Sequence, residues 1–164
     1  MAHFVPPEIF RKIVEHAPLV SVDLVLCDPD GHVLVGLRTN EPARGVYFVP
    51  GGVIRKDETL DDAFARILMT ETGQVGSRVT AQFLGPYQHF YDTNRFFDPG
   101  YGTHYIVLAY RVRLPVRPHI RLDDQHETIR WMTPEAILAA SDVHENTKAY
   151  FRQGLSPRFA ARRR

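Results

Sequence analysis

Between Gly51 and Gly73 the chain sets charged residues at defined intervals along a glycine turn, a charged loop and one amphipathic helix. Glu58 follows Gly52 after five residues, Arg66 follows Glu58 after seven, and Glu71 follows Arg66 after four. An arginine near carboxylates either grips phosphate oxygens or locks one of those carboxylates. Glu71 is the most telling. It projects into an apolar stripe of Leu60, Ala63, Phe64, Ile67 and Leu68 and lies in the last turn of its helix, where the dipole disfavours an anion. A carboxylate there calls for a cation. The alternative is a frayed last turn that releases Glu71 to water.

Other residues add to this set. Asp23 interrupts an apolar run and must be paired or line a cleft; a hydrogen bond to a nearby backbone amide is the plain alternative. His126, beside Asp123, Asp124 and Glu127, is a candidate general base; the plain alternative is an exposed histidine in an acidic loop. Its ordinary pKa lies near neutrality, and the acidic neighbours favour its charged form, so the reactive form is lost below neutral pH. Arg38, at a strand end, suits a two-pronged hold on a diphosphate. Arg66 either holds phosphate or pairs with Glu58. Tyr87, His89 and Tyr91 alternate onto one strand face, as a polar-tipped core or as part of a site. Tyr105 joins them as a candidate, and His104 points the other way.

The elements that must position these groups follow from local signals. Thr59 is an N-cap with Asp62 in a capping-box-like place, and Gly73 ends the motif helix. Residues 7–16 form an amphipathic helix with Ile9, Phe10, Ile13 and Val14 on one side. Leu19–Cys27 is a buried strand, and Asp30-Gly31 turns into a strand over Val33–Arg38. Residues 46–50 deliver the glycine pair. Segments 79–84 and 87–91 are strands broken at Gly85-Pro86, and 92–102 is a loop. Thr103–Arg113 is a strand, 115–124 a connection and 127–132 a strand. A helix starts at Thr133-Pro134 and runs to about Ala140, and another spans 144–153. Strands around one motif helix, with helices at both ends, make an α/β fold with a mixed sheet between helical layers.

Composition bounds the remainder. The chain has 164 residues, a net charge of +1 and one cysteine, Cys27. That size suits one domain over 1–157 with an N-terminal amphipathic helix, followed by a basic tail, 158–164, with four arginines. The charge supplies no general attraction to nucleic acid or membrane. A lone cysteine fits a reducing cytoplasm. There is neither a membrane-length apolar run nor a signal-peptide pattern.

The spacing resembles the signature of the Nudix hydrolases, G-x5-E-x7-R-E-U-x-E-E-x-G-U with U apolar. Ile67 and Thr70 stand where that family has glutamates, and Gln74 replaces the last apolar residue. Further stretches are similar to the GDP-mannose mannosyl hydrolase subgroup, which also lacks both carboxylates. They include Pro18–Asp23, Leu37-Arg38-Thr39-Asn40, Phe48–Gly52, Lys56–Leu60, Gln88–Asp92, Thr103-His104-Tyr105, Asp124-Gln125-His126 and Arg130-Trp131. Val53 occupies a position where the subgroup has an arginine; Arg55 substitutes only if the loop bends differently.

The resemblance implies a Nudix α/β/α sandwich and Mg²⁺-dependent hydrolysis of GDP-mannose, or a related GDP-hexose, to GDP and free sugar with inversion. One Mg²⁺ per subunit, or Mn²⁺ in its place, is held by Glu71 with the Gly51 carbonyl and Gln125. His126 acts as base, Tyr105 and His89 bond the diphosphate end, and Asp23 faces the sugar. The expected form is a cytoplasmic homodimer with the N-terminal helix at its interface. Two alternatives stand beside this reading: a pyrophosphohydrolase attacking phosphorus, and a non-catalytic nucleotide-sugar sensor.

Overall fold

The computed structural model describes residues 5–120 and 126–152, with His126 and Glu127 described by their backbone alone. Gln125 and the tail 158–164 lie outside the described residues. The elements run α1 (Pro7–His16), β1 (Leu19–Cys27), β2 (Val33–Arg38), β3 (Tyr47–Phe48), β4 (Gly51–Val53), α2 (Leu60–Thr72), β5 (Gln82–Tyr91), β6 (Thr103–Arg113), β7 (His126–Met132), α3 (Pro134–Ala139) and α4 (Glu145–Lys148).

Among the described residues, seven strands join one mixed sheet, in which β3, β2, β1, β6 and β5 lie side by side while β4 pairs with β1 and β7 with β2. The β1–β6 pair is parallel and central; the other pairs are antiparallel. A strand covered on both faces needs a nearly continuous apolar sequence, and β1 supplies one. Val22, Leu24 and Leu26 meet Phe64, Ile67 and Leu68 of α2 on one side of the sheet. Val25 meets Ile137, Val143 and Tyr150 on the other. The fold is therefore the α/β/α layering expected from the sequence. Each layer buries one set of alternating β1 side chains.

The motif helix forms for the reasons its sequence suggests. Thr59 Oγ1 accepts the Asp62 backbone N–H at 3.1 Å and donates to the Asp62 carboxylate at 2.7 Å. Gly73 closes the helix at φ 68°, its N–H returning to the Met69 carbonyl. Leu60 departs from the expected stripe: at the first helical position it is 40% exposed, while Ala63, Phe64, Ile67 and Leu68 are buried.

Two further expectations are corrected. Residues 78–80 form a 3₁₀ turn, and β5 then runs unbroken through Gly85-Pro86. Gly85, at φ 120°, absorbs a register shift there, so the strand bulges instead of stopping. The last helix is shorter than 144–153: α4 ends at Lys148 and a 3₁₀ turn, Ala149–Phe151, follows. The apolar side of α1, which has no obvious cover in the sequence, is partly covered by the 92–102 loop. Phe10 meets Phe96 edge-on at 6.0 Å, and Arg11 pairs with Asp98 at 2.9 Å.

Candidate active site

The glycine pair lies between Ile67 of α2 and Asp23 of β1. On the α2 side, a Cβ at Gly52 would lie 3.1 Å from Ile67 Cγ1. Glu71, one turn beyond Ile67 on the same stripe, is half-buried, and its Oε2 is shielded from solvent. On the other side, Gly51 pairs with Asp23 across β4 and β1, and a Cβ there would come within 2.4 Å of Asp23 Oδ1. The lack of a side chain at Gly51 is thus what admits the Asp23 carboxylate.

Asp23 shares the face of Val25 and points away from α2. Its Oδ2 accepts a hydrogen bond from the Tyr150 hydroxyl at 2.6 Å, so its partner is a side chain and not the backbone amide considered from sequence. Burial pushes its pKa up to about 6, against the lowering effects of the Tyr150 bond and the Arg38 charge. Tyr150 also stands 3.4 Å from His89 Nε2. Since the Tyr150 proton goes to Asp23, the His89 tautomer with its proton on Nε2 completes the contact. Burial, helped by the neighbouring His144, lowers the His89 pKa to about 3, so this imidazole is neutral at ordinary pH.

His89 and Tyr105 face each other across β5 and β6. Tyr105 packs edge-on to Tyr91 at 5.9 Å, and burial raises the pKa of both phenols. Arg38 lies over the Phe48 ring at 5.4 Å, and its charge acts on Asp23, Tyr91, Tyr105 and His144. The result is an aromatic recess around the Asp23 carboxylate and the Arg38 guanidinium. Asp23, Arg38, His89 and Tyr105, named from sequence, come together here.

Arg66 behaves differently. Its Nε and one terminal nitrogen hold both Glu58 oxygens at 2.6 and 2.8 Å, and that nitrogen also reaches the Val53 carbonyl at 3.0 Å. Of its two expected roles, these bonds give Arg66 the locking one. The paired guanidinium holds Glu58 below the usual carboxylate range. Arg55 is exposed, and its backbone N–H bonds Glu58 Oε2 at 2.9 Å. His126 begins β7 opposite Arg38, which puts its backbone beside the recess. His104 stacks on Phe90 at 4.3 Å, on the other face from Tyr105.

Three residues of the recess were missed in the sequence. His144 stacks on Phe48 at 4.5 Å and 25°, its Nδ1 accepting the Asn146 backbone N–H at 3.1 Å. That bond fixes the proton of the neutral ring on Nε2. Asn146 donates to the Tyr91 hydroxyl at 3.2 Å, and Tyr150 holds Asp23. The one available signal was the buried Asp23, which required a donor from elsewhere. A different cluster, Asp28, Asp30 and His32, brings its ligand-type atoms close enough to share an ion. It is a turn: Asp28 Oδ1 accepts the backbone N–H of Asp30 and His32, and Oδ2 takes Arg117 at 2.7 Å.

The family model of the NUDIX domain matches residues 17–153. The chain belongs to the NUDIX family. This NUDIX protein is 41% identical over 130 residues to the low-salt glycan biosynthesis protein Agl8 of Haloferax volcanii, which covers 79% of the chain and 80% of Agl8. Its fold is similar to that of the MutT protein of Methanosarcina mazei Go1, with a TM-score of 0.67, 21% identity and coverage of 83% and 92% of the two chains. It is also similar to the NUDIX domain of Shewanella oneidensis NrtR complexed with ADP ribose, with a TM-score of 0.61, 21% identity and coverage of 89% and 90%. Among the described residues, no helix is long and apolar enough to cross a membrane.

Proposed function

We propose that this NUDIX protein hydrolyses GDP-mannose, or a related GDP-hexose, to GDP and free sugar by attack of water at the anomeric carbon. The observation that carries this is Ile67. It stands where the family signature has a glutamate, and it is buried against Gly52 in the core. Thr70 replaces a second glutamate, so the helix keeps one motif carboxylate in the ligand position, Glu71. Such a helix is poorly equipped to gather the several cations that attack at phosphorus employs. Across the glycine pair, a carboxylate and a guanidinium share an aromatic recess, a setting suited to a sugar with an attached diphosphate. A glycan-related name for Agl8 accords with a sugar-bearing substrate.

The donor set fits a hard divalent ion, Mg²⁺ or Mn²⁺. Glu71 offers a partly enclosed carboxylate, and the last turn of its helix carries no basic residue. The Gly51 carbonyl and Gln125 are the other two proposed ligands, oxygen donors of the kind such an ion prefers. The bound ion supplies countercharge to the departing diphosphate.

The protein's own groups do the rest. Arg38 binds the diphosphate, with Tyr105 and His89 at the same end. His126, as base, takes the proton from water while the water oxygen bonds to the anomeric carbon. The bond from that carbon to the diphosphate oxygen breaks, and its electron pair leaves with GDP. Asp23 stabilises the positive charge that develops on the sugar. Direct displacement inverts the anomeric centre. The same reading takes residues 1–157 as the domain and the molecule as a cytoplasmic homodimer, with Ile9, 51% exposed on α1, at the interface.

The test is product identification from GDP-mannose in the presence of Mg²⁺. GDP and mannose support the proposal. GMP and mannose 1-phosphate establish the pyrophosphohydrolase instead, and tight binding without turnover on a panel of nucleotide sugars establishes the sensor.

A further inference from the structure

We propose that Tyr150 is a positioning residue that fixes the Asp23 carboxylate for reaction at the sugar, a role that rests on the functional reading above. Asp23 is wedged from two sides. Its Oδ1 fills the space a side chain at Gly51 would take, and its Oδ2 accepts from the Tyr150 hydroxyl at 2.6 Å. A phenolic oxygen lies on the axis of its ring, so flipping the ring does not move it. The ring itself is held. It is 6% exposed, packs perpendicular to Tyr87 at 4.8 Å and lies 6.3 Å from the His89 ring. His89 Nε2, 3.4 Å from the hydroxyl oxygen, gives that oxygen a partner and aims its proton at Asp23.

Three distant parts of the chain thus set one carboxylate: β1 carries it, β5 orients the hydroxyl, and the 3₁₀ turn Ala149–Phe151 supplies it. Electrostatic stabilisation of a developing cation depends on a group already in place when charge appears. A carboxylate without its donor is free to rotate and to draw toward Arg38, whose charge already acts on it. Tyr150 holds Asp23 against that pull. Its short bond goes to Asp23 at the sugar, while its contact with His89 at the diphosphate end is the longer one, 3.4 Å, so the larger effect of losing the hydroxyl belongs on turnover.

The test is the pair Tyr150→Phe and Asp23→Asn, alone and combined, assayed on GDP-mannose with Mg²⁺. Phenylalanine keeps the ring packing on Tyr87 and removes only the hydroxyl, and thermal melting checks that the fold is retained. We expect kcat of Tyr150→Phe to fall about 10- to 100-fold with KM within about threefold of the parent. We also expect Tyr150→Phe to have almost no further effect on kcat when added to Asp23→Asn, because the carboxylate it positions is gone. Unchanged kcat, a loss confined to KM, or an equal loss on both backgrounds overturns the positioning role, even if the parent makes GDP and mannose. A parent that makes GMP and mannose 1-phosphate overturns the underlying reading and the proposal with it.

Discussion

Asp23 Oδ1 occupies the place a side chain at Gly51 would need, with only 2.4 Å between that oxygen and a Cβ built on residue 51. The Val22 carbonyl is 2.9 Å from the same point, so the backbone closes the other exit. Gly51→Ala must therefore displace the carboxylate, the β1–β4 pairing or both. We expect turnover to fall by about 100-fold. Kinetics of the alanine variant on GDP-mannose, with circular dichroism as the check on folding, measure this; near-parental turnover would contradict the geometry.

The Glu58–Arg66 pair ties the loop before α2 to the helix itself. Glu58 is 4% exposed in its side chain and Arg66 25%, so removing the arginine leaves a largely enclosed carboxylate. Arg66→Ala is expected to cost about 2 kcal/mol of stability, read from urea unfolding. The paired Glu58 has a lowered folded pKa. Its stabilisation is thus fully present above the ordinary value of 4.5 and is lost as pH falls through the folded value. The difference in stability between parent and variant should shrink below that pH, and a difference constant down to strong acid would count against it.

His89 makes a prediction of the same kind through burial. Its folded pKa is about 3 against an ordinary 6.5, so between those values the unfolded chain binds a proton that the folded chain refuses. Stability therefore falls as pH drops below 6.5, by about 1.4 kcal/mol per unit from this group. Asp23 works in the opposite direction, since its folded pKa is raised to about 6 and the folded form gains the proton first. The two partly cancel in the parent. His89→Gln removes one of them, and its stability should decline less on acidification than the parent's. Parallel urea midpoints at pH 7, 6 and 5 decide the matter.

For the chemistry, His126→Gln is expected to lower turnover by about 100-fold or more while nucleotide binding survives. Glu71→Gln should abolish Mg²⁺-dependent turnover and weaken Mn²⁺ binding measured by water-proton relaxation, with the melting temperature little changed. A His126→Gln protein of near-parental rate removes the base assignment.

What could be read from the sequence was what depends on near neighbours. The motif helix is legible because Thr59, the Ala63–Phe64–Ile67–Leu68 stripe and Gly73 act within a few residues of one another. β1 is legible because a strand buried on both faces must be apolar throughout. The break expected at Gly85-Pro86 was misread because a glycine with positive φ permits a bulge as readily as a stop. The recess was half legible: Asp23 required a partner, but nothing local says that it is Tyr150, 127 residues away. His144 and Asn146 escaped notice for the same reason, since packing of α4 on the sheet brings them in.

The central claim is the atom that water attacks. Hydrolysis of GDP-mannose in ¹⁸O-water, with mass analysis of both products, reads it directly. The account predicts ¹⁸O in the mannose and none in the GDP; ¹⁸O in a phosphate of the nucleotide product would contradict it.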